Sequence, residues 1–292
     1  MSYFKNIKEP SKIITAIDTS IKFPEILEAS REKYIDDINL FIRLVNNSIS
    51  SELLLKEIRS IAIDNKQRMS LLKLYRRCVC PILDTEMTKK IKKVPTEMLI
   101  DNYAYSFKDI NILKEQLKIM SSDTLSALAV LIGEYDSRGQ SGYLLTDRFF
   151  TWFEKQFKDR FYIDGPRGAG RDIELSTICC DFDDNCPCDF VISNVSDNRV
   201  LAVGFARYDS TRGGAQSDDR TGGNSNKVDK IQRYCEKSNK KLKIIFLSDG
   251  PGLLHNDTWN ETCHIDDSWN GNVRVTTLKL AEERIDANWL LS

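Results

Sequence analysis

One acidic residue at the start of a short apolar run is the strongest chemical candidate in this chain. Asp189 follows Pro187 and precedes the apolar residues 190–192. Because side chains alternate along a strand, Asp189 is expected on the same face as Val191. A carboxylate fixed in this way can bind a divalent cation. The alternative interpretation is an acid next to a turn that caps a backbone group.

Three further charged residues could complete a site around Asp189. Glu174 lies upstream on a predicted strand, on the same face as Asp172, and Arg207 and Asp209 share a face at the end of a later strand. Carboxylates and a cation that converge in this way could bind Mg²⁺, activate a water and stabilise the charge that builds on a phosphate. Asp189, Glu174 and Asp209 are therefore the candidate metal ligands. For Arg207 and Asp209 an exposed ion pair or a phosphate contact is the alternative.

A glycine-rich stretch at residues 212–224 has the composition of a DNA-recognition loop. Its glycines let backbone N–H groups approach phosphates, and the side chains of Arg212, Gln216, Arg220 and Asn224 have the geometry to read guanine and adenine edges. We expect this loop to order on DNA binding. A mobile surface excursion is the alternative, although structureless loops longer than about 12 residues are usually functional or disordered.

A second glycine-rich loop, residues 165–171, carries two arginines among its three glycines. Arg167 and Arg171 are expected to clamp the phosphate backbone of DNA. A nucleotide-binding loop is the competing interpretation, but no Gly-Lys-Ser/Thr sequence follows and no strand is predicted to lead into it.

Eight cysteines raise the question of a zinc site, because four of them fall within residues 179–188. The spacing argues against zinc, since neither pair of this cluster is CxxC and Asp181, Asp183 and Asp184 lie between the pairs. Small buried thiols are the alternative. Without a secretion signal the cysteines are expected to be reduced.

The overall composition predicts a globular chain of the cytoplasm. Apolar residues make up 41% and charged residues 29%, which excludes wholesale disorder, and no apolar run approaches the roughly 20 residues of a bilayer-spanning helix. The amino terminus lacks the apolar stretch of a signal peptide. The net charge of −1 indicates no polyanion partner, although a nucleic-acid enzyme needs only a local basic surface.

The elements that position these residues fall into two regions. Residues 1–140 are predicted to be a helical region for dimerisation or DNA contact, with apolar residues at three- and four-residue spacing. The predicted helices are residues 23–45, 51–65, 69–78, 109–120 and 122–135. A break at residues 136–142 has the Gly, Ser and Asp content of a linker or tight loop.

Residues 141–292 are predicted to be the catalytic domain, with a mixed β-sheet flanked by helices, in the α/β (α+β) class. An amphipathic helix capped by Thr146 and Asp147 comes first. The later elements are strands at 172–180, 188–193 and 200–208, a helix at 227–239 and a strand at 243–248. The last strand is reached through a crossover helix and is therefore expected to be parallel to a neighbour.

This order of elements, with Asp189 on the second strand of a hairpin-bearing mixed sheet, resembles the core of the PD-(D/E)xK nuclease superfamily. The resemblance is to type II restriction endonucleases in particular. It covers roughly residues 145–255 and rests on a short, degenerate motif placed on the appropriate elements. It implies a restriction-endonuclease-like core that binds Mg²⁺ and hydrolyses phosphodiester bonds.

The chain departs from the superfamily pattern in the third strand. The pattern places an acid there and a lysine two positions later, and residues 200–208 contain neither. Other residues could replace the missing acid and lysine in three ways. Arg207 and Asp209 could serve in inverted order, Glu174 could supply the second carboxylate, or the lysine could have moved to the following helix as Lys227 or Lys230, as in migrated-motif members of the superfamily.

The resemblance implies a type II site-specific deoxyribonuclease that cuts double-stranded DNA, with Mg²⁺ as cofactor. A homodimer is expected because a two-fold protein matches a palindromic site and makes one cut in each strand. A cognate DNA methyltransferase would belong to the same system, and no membrane partner is expected. The alternatives are a DNA-binding protein that derives from a nuclease core and no longer cuts, and a zinc-stabilised interaction protein.

Overall fold

The structure is a computed structural model, and it describes residues 2–134, 136, 139–210 and 218–292, with only the backbone at 218–222. The chain divides into two compact units. One contains residues 20–137, and the other contains residues 1–19 together with 138–292. In the described ranges no helix combines the length and the apolar character needed to cross a bilayer.

The unit of residues 20–137 is helical, and its five predicted helical segments are confirmed with shifted ends. Side-chain oxygens of Ser50, Asp64, Asp109 and Ser121 accept N–H groups at four helix starts, which helix geometry would otherwise leave unpaired. The helices are α1 (Glu25–Asn47), α2 (Ser51–Ile58), α3 (Asn65–Cys78), α4 (Thr85–Thr88), α5 (Thr96–Tyr103), α6 (Ile110–Lys118) and α7 (Ser122–Gly133). Helices α4 and α5 were not predicted.

Asp136, in the predicted linker, is bound to this helical unit. Its carboxylate accepts hydrogen bonds from Lys33 (2.6 Å), Lys73 (2.7 Å) and the hydroxyl of Tyr34. Burial opposes its ionisation, but these hydrogen bonds outweigh burial and lower the pKa of Asp136 to about 2. The first residue of the predicted linker or tight loop is therefore fixed to the helices.

The second unit is built on a mixed sheet, so the chain is of the mixed α/β class. Its strands are β1 (Phe161–Asp164), β2 (Ile173–Glu174), β3 (Pro187–Cys188), β4 (Phe190–Asn194), β5 (Val200–Tyr208), β6 (Lys243–Asp249) and β7 (Val273–Thr276). The sheet has the order β1-β4-β5-β6-β7, in which β1, β4 and β5 are antiparallel neighbours and β5, β6 and β7 are parallel. Strands β2 and β3 form a separate two-stranded ribbon.

The helices of this unit lie on both faces of the sheet. They are α8 (Gln140–Phe157), α9 (Leu175–Ile178), α10 (Asp218–Ser238), α11 (Asn256–Ile265), α12 (Ser268–Gly271), α13 (Ala281–Arg284) and α14 (Ala287–Leu291). Helix α10 connects β5 to β6, so the predicted crossover to a parallel strand is confirmed. Val203 and Phe205 share a core with α10, whereas Ala202 and Phe190 share a core with the aromatic residues of α8.

Several predicted boundaries are wrong. The strand predicted at 172–180 ends at Glu174, because the chain turns into α9 at Leu175, after one further ribbon hydrogen bond from the N–H of Leu175 to the carbonyl of Cys186. Helix α8 begins at Gln140 rather than at Thr146, whose hydroxyl donates to the carbonyl of Gly142 (3.0 Å) inside the helix. Helix α10 begins at Asp218, so residues 218–224 are helical and not part of a loop. Strands β1 and β7 were not predicted.

The amino-terminal segment packs with the second unit, whereas the predicted division at residue 140 grouped it with the helical region. Asp249, at the end of β6, is fully buried and accepts the N–H groups of Thr15 (2.8 Å), Gly250 (2.8 Å) and Leu278 (3.0 Å). Asp266 accepts the N–H of Tyr3 (2.8 Å). The end of β6 is thereby connected to the amino-terminal segment and to the segment that follows β7.

Replacing Gly204 by alanine tests the close packing between β4 and β5. A Cβ at Gly204 would lie 2.0 Å from ring atoms of Phe190, so the substitution must displace a buried ring. Overpacking of this kind should lower the free energy of unfolding by about 1–3 kcal/mol, measured by urea denaturation. Gly142→Ala is the matched control, because nothing lies within 4 Å of its Cβ. It should raise the free energy of unfolding by about 0.5–1 kcal/mol. Equal effects of the two substitutions would contradict this packing.

Candidate active site

Asp189 connects β3 to β4 and is held by the backbone of β5. Its N–H donates to the carbonyl of Gly204 (2.9 Å), and its Oδ2 accepts the N–H of Ala206 (2.8 Å). The β4–β5 register pairs Phe190 with Gly204, which sets Asp189 opposite Phe205. Asp189 is therefore fixed beside the face of the sheet that α10 covers.

The glycine-rich loop after β1 approaches Asp189 at the level of the backbone. Gly165 has φ +155°, and a Cβ there would lie 2.4 Å from the carbonyl oxygen of Asp189. Only glycine permits this approach, because any side chain would collide with the backbone. The loop continues from this contact to Asp172 and enters β2.

Asp172, which was not selected from the sequence, lies close to Asp189. Strands β2 and β3 pair with Ile173 opposite Cys188 and Glu174 opposite Pro187. If this antiparallel register is continued by one residue, Asp172 lies opposite Asp189. Glu174 lies two residues away from that level. Asp172 is therefore closer in register to Asp189 than the predicted second carboxylate is.

The environment of Asp189 disfavours its negative charge. Burial is the largest cause of a raised pKa for Asp189, and the charge of Asp172 adds to it. The N–H of Ala206 and the ammonium group of Lys227 act in the opposite direction but do not cancel the increase. Carboxyl groups with raised pKa values beside a second carboxylate are typical of functional sites. A cation bound here would relieve the repulsion between the two acids.

Lys227 of α10 brings a positive charge to the same region. Its Nζ lies 4.2 Å from the ring centroid of Phe205, the residue opposite Asp189. A cation is attracted to the face of an aromatic ring, so Phe205 holds the ammonium group beside the sheet. Lys227 thus reaches the candidate site from a helix rather than from a strand.

Arg207 and Asp209 form an ion pair at the end of β5. Nε of Arg207 donates to Oδ1 of Asp209 at 2.7 Å. The Asp209 side chain is only 6% exposed, whereas that of Arg207 is 36% exposed. The pair therefore presents an accessible guanidinium group on a buried carboxylate.

Asp189 was predicted to hold a metal ion together with Glu174 or Asp209; the pairing with Glu174 stays a prediction, and the spacing along β5 argues against the pairing with Asp209. Asp209 lies four residues beyond Phe205, which is about 13 Å along the strand from the level of Asp189 at about 3.3 Å per residue. Ligand oxygens lie within about 2–2.6 Å of a bound Mg²⁺ or Ca²⁺, so Asp189 and Asp209 cannot share an ion. In the part of the chain that the structure describes, no group of three His, Cys, Asp or Glu side chains is arranged to hold a metal.

The two arginines of the loop at residues 165–171 differ in their contacts. Arg167 is paired with Asp147 (2.8 Å) and Glu154 (2.5 Å) on α8, and its guanidinium group lies 5.3 Å from the ring centroid of Phe150. Arg171 is exposed and directly precedes Asp172. Arg171 is thus the arginine of this loop that is adjacent in the chain to the candidate site.

The residues predicted to read DNA bases are only partly described. Arg212 and Gln216 lie outside the described residues, as does the side chain of Arg220, whose backbone belongs to α10. Nδ2 of Asn224 donates to Oε1 of Glu261 on α11 (3.0 Å). Asn224 would have to exchange this partner before it could contact a base.

The cysteine cluster does not form a metal site among the described side chains. Cys179, Cys186 and Cys188 are buried, whereas Cys180 is exposed. The thiol of Cys188 donates to the carbonyl of Cys186 at 3.4 Å. Three of the four cysteines are therefore small residues of the apolar core.

Asp172 was missed because its position depends on a ribbon of two-residue strands. Such strands are too short to show a periodic pattern, and the register between them is not encoded locally. The available signal was Asp172 itself, an acid on the same strand face as the selected Glu174. Comparisons with protein-family models, curated proteins and solved structures gave no match to this chain.

Asp189→Asn should stabilise the protein at neutral pH. Because the pKa of Asp189 is raised in the folded state, that state binds the proton more tightly than the unfolded chain does. The free energy of unfolding therefore falls as the pH rises from the ordinary carboxyl pKa of about 4 through the raised value. Asparagine cannot ionise, yet it keeps an oxygen that can accept the N–H of Ala206. Urea denaturation at several pH values should show a gain at pH 7 that disappears at acid pH.

Asp286→Asn is the matched control for this pH dependence. Burial opposes ionisation of Asp286, but hydrogen bonds from the N–H of Trp289 and from Arg274 outweigh it and lower its pKa. Its charge therefore stabilises the folded state above the ordinary carboxyl pKa, and this contribution is lost as the pH falls. Asp286→Asn should reduce stability at pH 7. A loss of stability in both variants would contradict the environment inferred for Asp189.

Proposed function

We propose that this protein is a Mg²⁺-dependent endonuclease that cuts double-stranded DNA at specific sequences. The observation that carries the proposal is the convergence of Asp172, Lys227 and Asp189 at the start of β4. The sheet supports it, because an antiparallel β4–β5 hairpin followed by a crossover to parallel β6 matches the order expected of a restriction-endonuclease-like core. On this proposal, residues 141–292 contain the catalytic domain.

The residues present fit a magnesium ion. Mg²⁺ usually keeps several waters and is bound by one or two carboxylates together with a substrate phosphate. Asp189 and Asp172 supply such a pair, and their mutual repulsion favours a cation between them. When bound, Mg²⁺ supplies Lewis acidity toward a phosphate group and a water.

The cations of the site compensate for the missing strand motif. Phe205 and Arg207 stand two positions apart on β5, and neither is the acid nor the lysine of the superfamily pattern. Lys227 supplies an ammonium group from the following helix, as the resemblance to migrated-motif members allows. Arg207 offers a partly exposed guanidinium group, of the kind that binds phosphate oxygens through paired hydrogen bonds and offsets charge that develops on them.

Contacts with DNA would come from the loops beside this site. Arg171 is exposed next to Asp172, and backbone N–H groups of the same loop can approach a phosphate. Arg212, Gln216, Arg220 and Asn224 remain the proposed readers of base edges. Arg167 would contact DNA only after leaving its partners on α8. A homodimer on a palindromic site, a cognate methyltransferase and a cytoplasmic location complete the proposal.

A DNA-binding protein that does not cut is the second candidate function. The absence of an acid and a lysine from residues 200–208 favours it. Incubation of the purified protein with plasmid and phage DNA in Mg²⁺ separates the two candidates. Discrete fragments support the endonuclease, and a gel shift without fragments supports the binding protein. If neither appears, both functions are excluded.

Carboxylate variants should identify the metal-binding pair. We expect Asp189→Asn and Asp172→Asn each to slow single-turnover cleavage by about 100-fold or more, because each removes a carboxylate that would hold the metal ion. DNA binding, measured in Ca²⁺, should remain. Glu174→Gln should change cleavage little, since Glu174 lies further along the ribbon. Melting temperatures of all three variants control for folding. The reverse result, with Glu174 required and Asp172 dispensable, would restore Glu174 as the second carboxylate.

A further inference from the structure

The ion pair of Arg207 and Asp209 has one fixed partner and one accessible partner. Exposed pairs of two flexible side chains contribute little, because both side chains must be ordered to meet. Here the carboxylate is buried and only the guanidinium group is accessible. The arrangement therefore restricts Arg207 without covering it.

The backbone of Asp209 is anchored on both sides. Its N–H donates to the carbonyl of Asp249 (2.8 Å), and its own carbonyl accepts the N–H of Gly252 (2.7 Å). Gly250 lies so close that a Cβ there would be 2.5 Å from the carbonyl oxygen of Asp209, and its φ of +100° favours glycine. Asp209 is thus held against the turn that follows β6.

Arg207 lies on the same face of the sheet as Asp189, two residues along β5 from the level of Asp189. Asp189 is opposite Phe205, so Arg207 is its diagonal neighbour on the same face, at a Cα separation of about 7–8 Å. Because Asp209 occupies Nε of Arg207, the donors that face a ligand are those on the two Nη atoms. The two Nη atoms are therefore the donors of Arg207 that could contact a phosphate group bound beside Asp189.

We infer that Asp209 is a positioning residue, which fixes the guanidinium group of Arg207 for contact with a phosphate oxygen of the bound DNA. This inference rests on the proposed function. A long arginine side chain that is already ordered loses less entropy when it binds, and correct placement of a charge near the reacting group can change a rate by about 100-fold. It also gives Asp209 a role that does not require the shared metal ion excluded above.

A double-mutant cycle tests the inference. Arg207→Ala should lower kcat for DNA cleavage by about 100-fold, as expected for loss of a charge-stabilising donor. Asp209→Ala should lower kcat by about 10- to 100-fold with little change in KM. The effects of the two substitutions should not be additive: the double variant should be slowed by much less than the product of the single effects, because loss of Arg207 removes the group that Asp209 positions. Asp209→Asn, which preserves the shape of the side chain, should lie between the wild type and Asp209→Ala.

Controls separate positioning from folding. Asp286 pairs with Arg274 on β7, the outermost strand beyond β6, so Asp286→Asn removes a comparable charge away from Asp189. It should leave kcat unchanged. If Asp209→Ala slows cleavage equally in the presence and in the absence of the Arg207 side chain, Asp209 has a purely structural role and the inference is overturned. Full activity of both Asp209 variants would overturn it as well.

A measurement without DNA separates failure of this inference from failure of the proposed function. The Nε–H of Arg207, assigned by its absence in Arg207→Lys, should exchange slowly with water in the wild type and faster in Asp209→Asn. Rapid exchange in a wild-type protein that cleaves DNA would remove only the positioning role. Slow exchange in a protein that neither binds nor cuts DNA would confirm the ion pair, but it would exclude the proposed function and, with it, the role of Asp209.

Discussion

The buried carboxylate of Asp249 is the interaction on which the rest of the second unit depends. It accepts three backbone N–H groups, from the amino-terminal segment, from its own turn and from the segment after β7. A buried charge without such partners would be costly, so these segments cannot separate from the end of β6 without a loss of stability. The carbonyl of Asp249 also accepts the N–H of Asp209. Asp209 pairs in turn with Arg207, so the position of Arg207 depends on the hydrogen bonds that hold Asp249.

At the candidate site, in contrast to Asp249, the negative charge of an acid is disfavoured by its surroundings. Asp189 is half-buried, its pKa is raised, and a second acid lies nearby. The fold tolerates this arrangement because Gly165 and Gly204 let neighbouring backbone and the ring of Phe190 approach closely, which fixes the chain on both sides of Asp189. An acid held in an unfavourable environment by close packing is available for a cation, whereas an acid satisfied by N–H groups, as Asp249 is, has no such need. The half-buried carboxylate before β4 and the fully buried one at the end of β6 thus differ in their ability to bind a cation.

Sequence patterns predicted the parts of this structure that depend on local regularity. The apolar periodicity gave the helices of residues 20–137, and the apolar runs gave β4, β5 and β6 with their crossover. The face of Asp189 followed from strand alternation. Sequence patterns did not predict the features that depend on contacts between residues distant in the chain. Strands β1 and β7 are four residues each, the β2–β3 ribbon has two residues per strand, and Lys227 reaches Phe205 only because α10 packs on that face. The pairing of Asp172 with Asp189 could not be derived, because no local signal specifies register between such short strands.

The division of the chain has a consequence for synthesis. The helical unit is an insertion between residue 19 and residue 138, so the two parts of the sheet-containing unit are separated in the chain. The hydrogen bond between Thr15 and Asp249 joins residues 234 positions apart. On the ribosome, the inserted helices can fold while the first nineteen residues still lack their partners, and those residues can dock only after β6 has emerged. Completion of the sheet-containing unit is thus a late, non-local step, of the kind that slows folding.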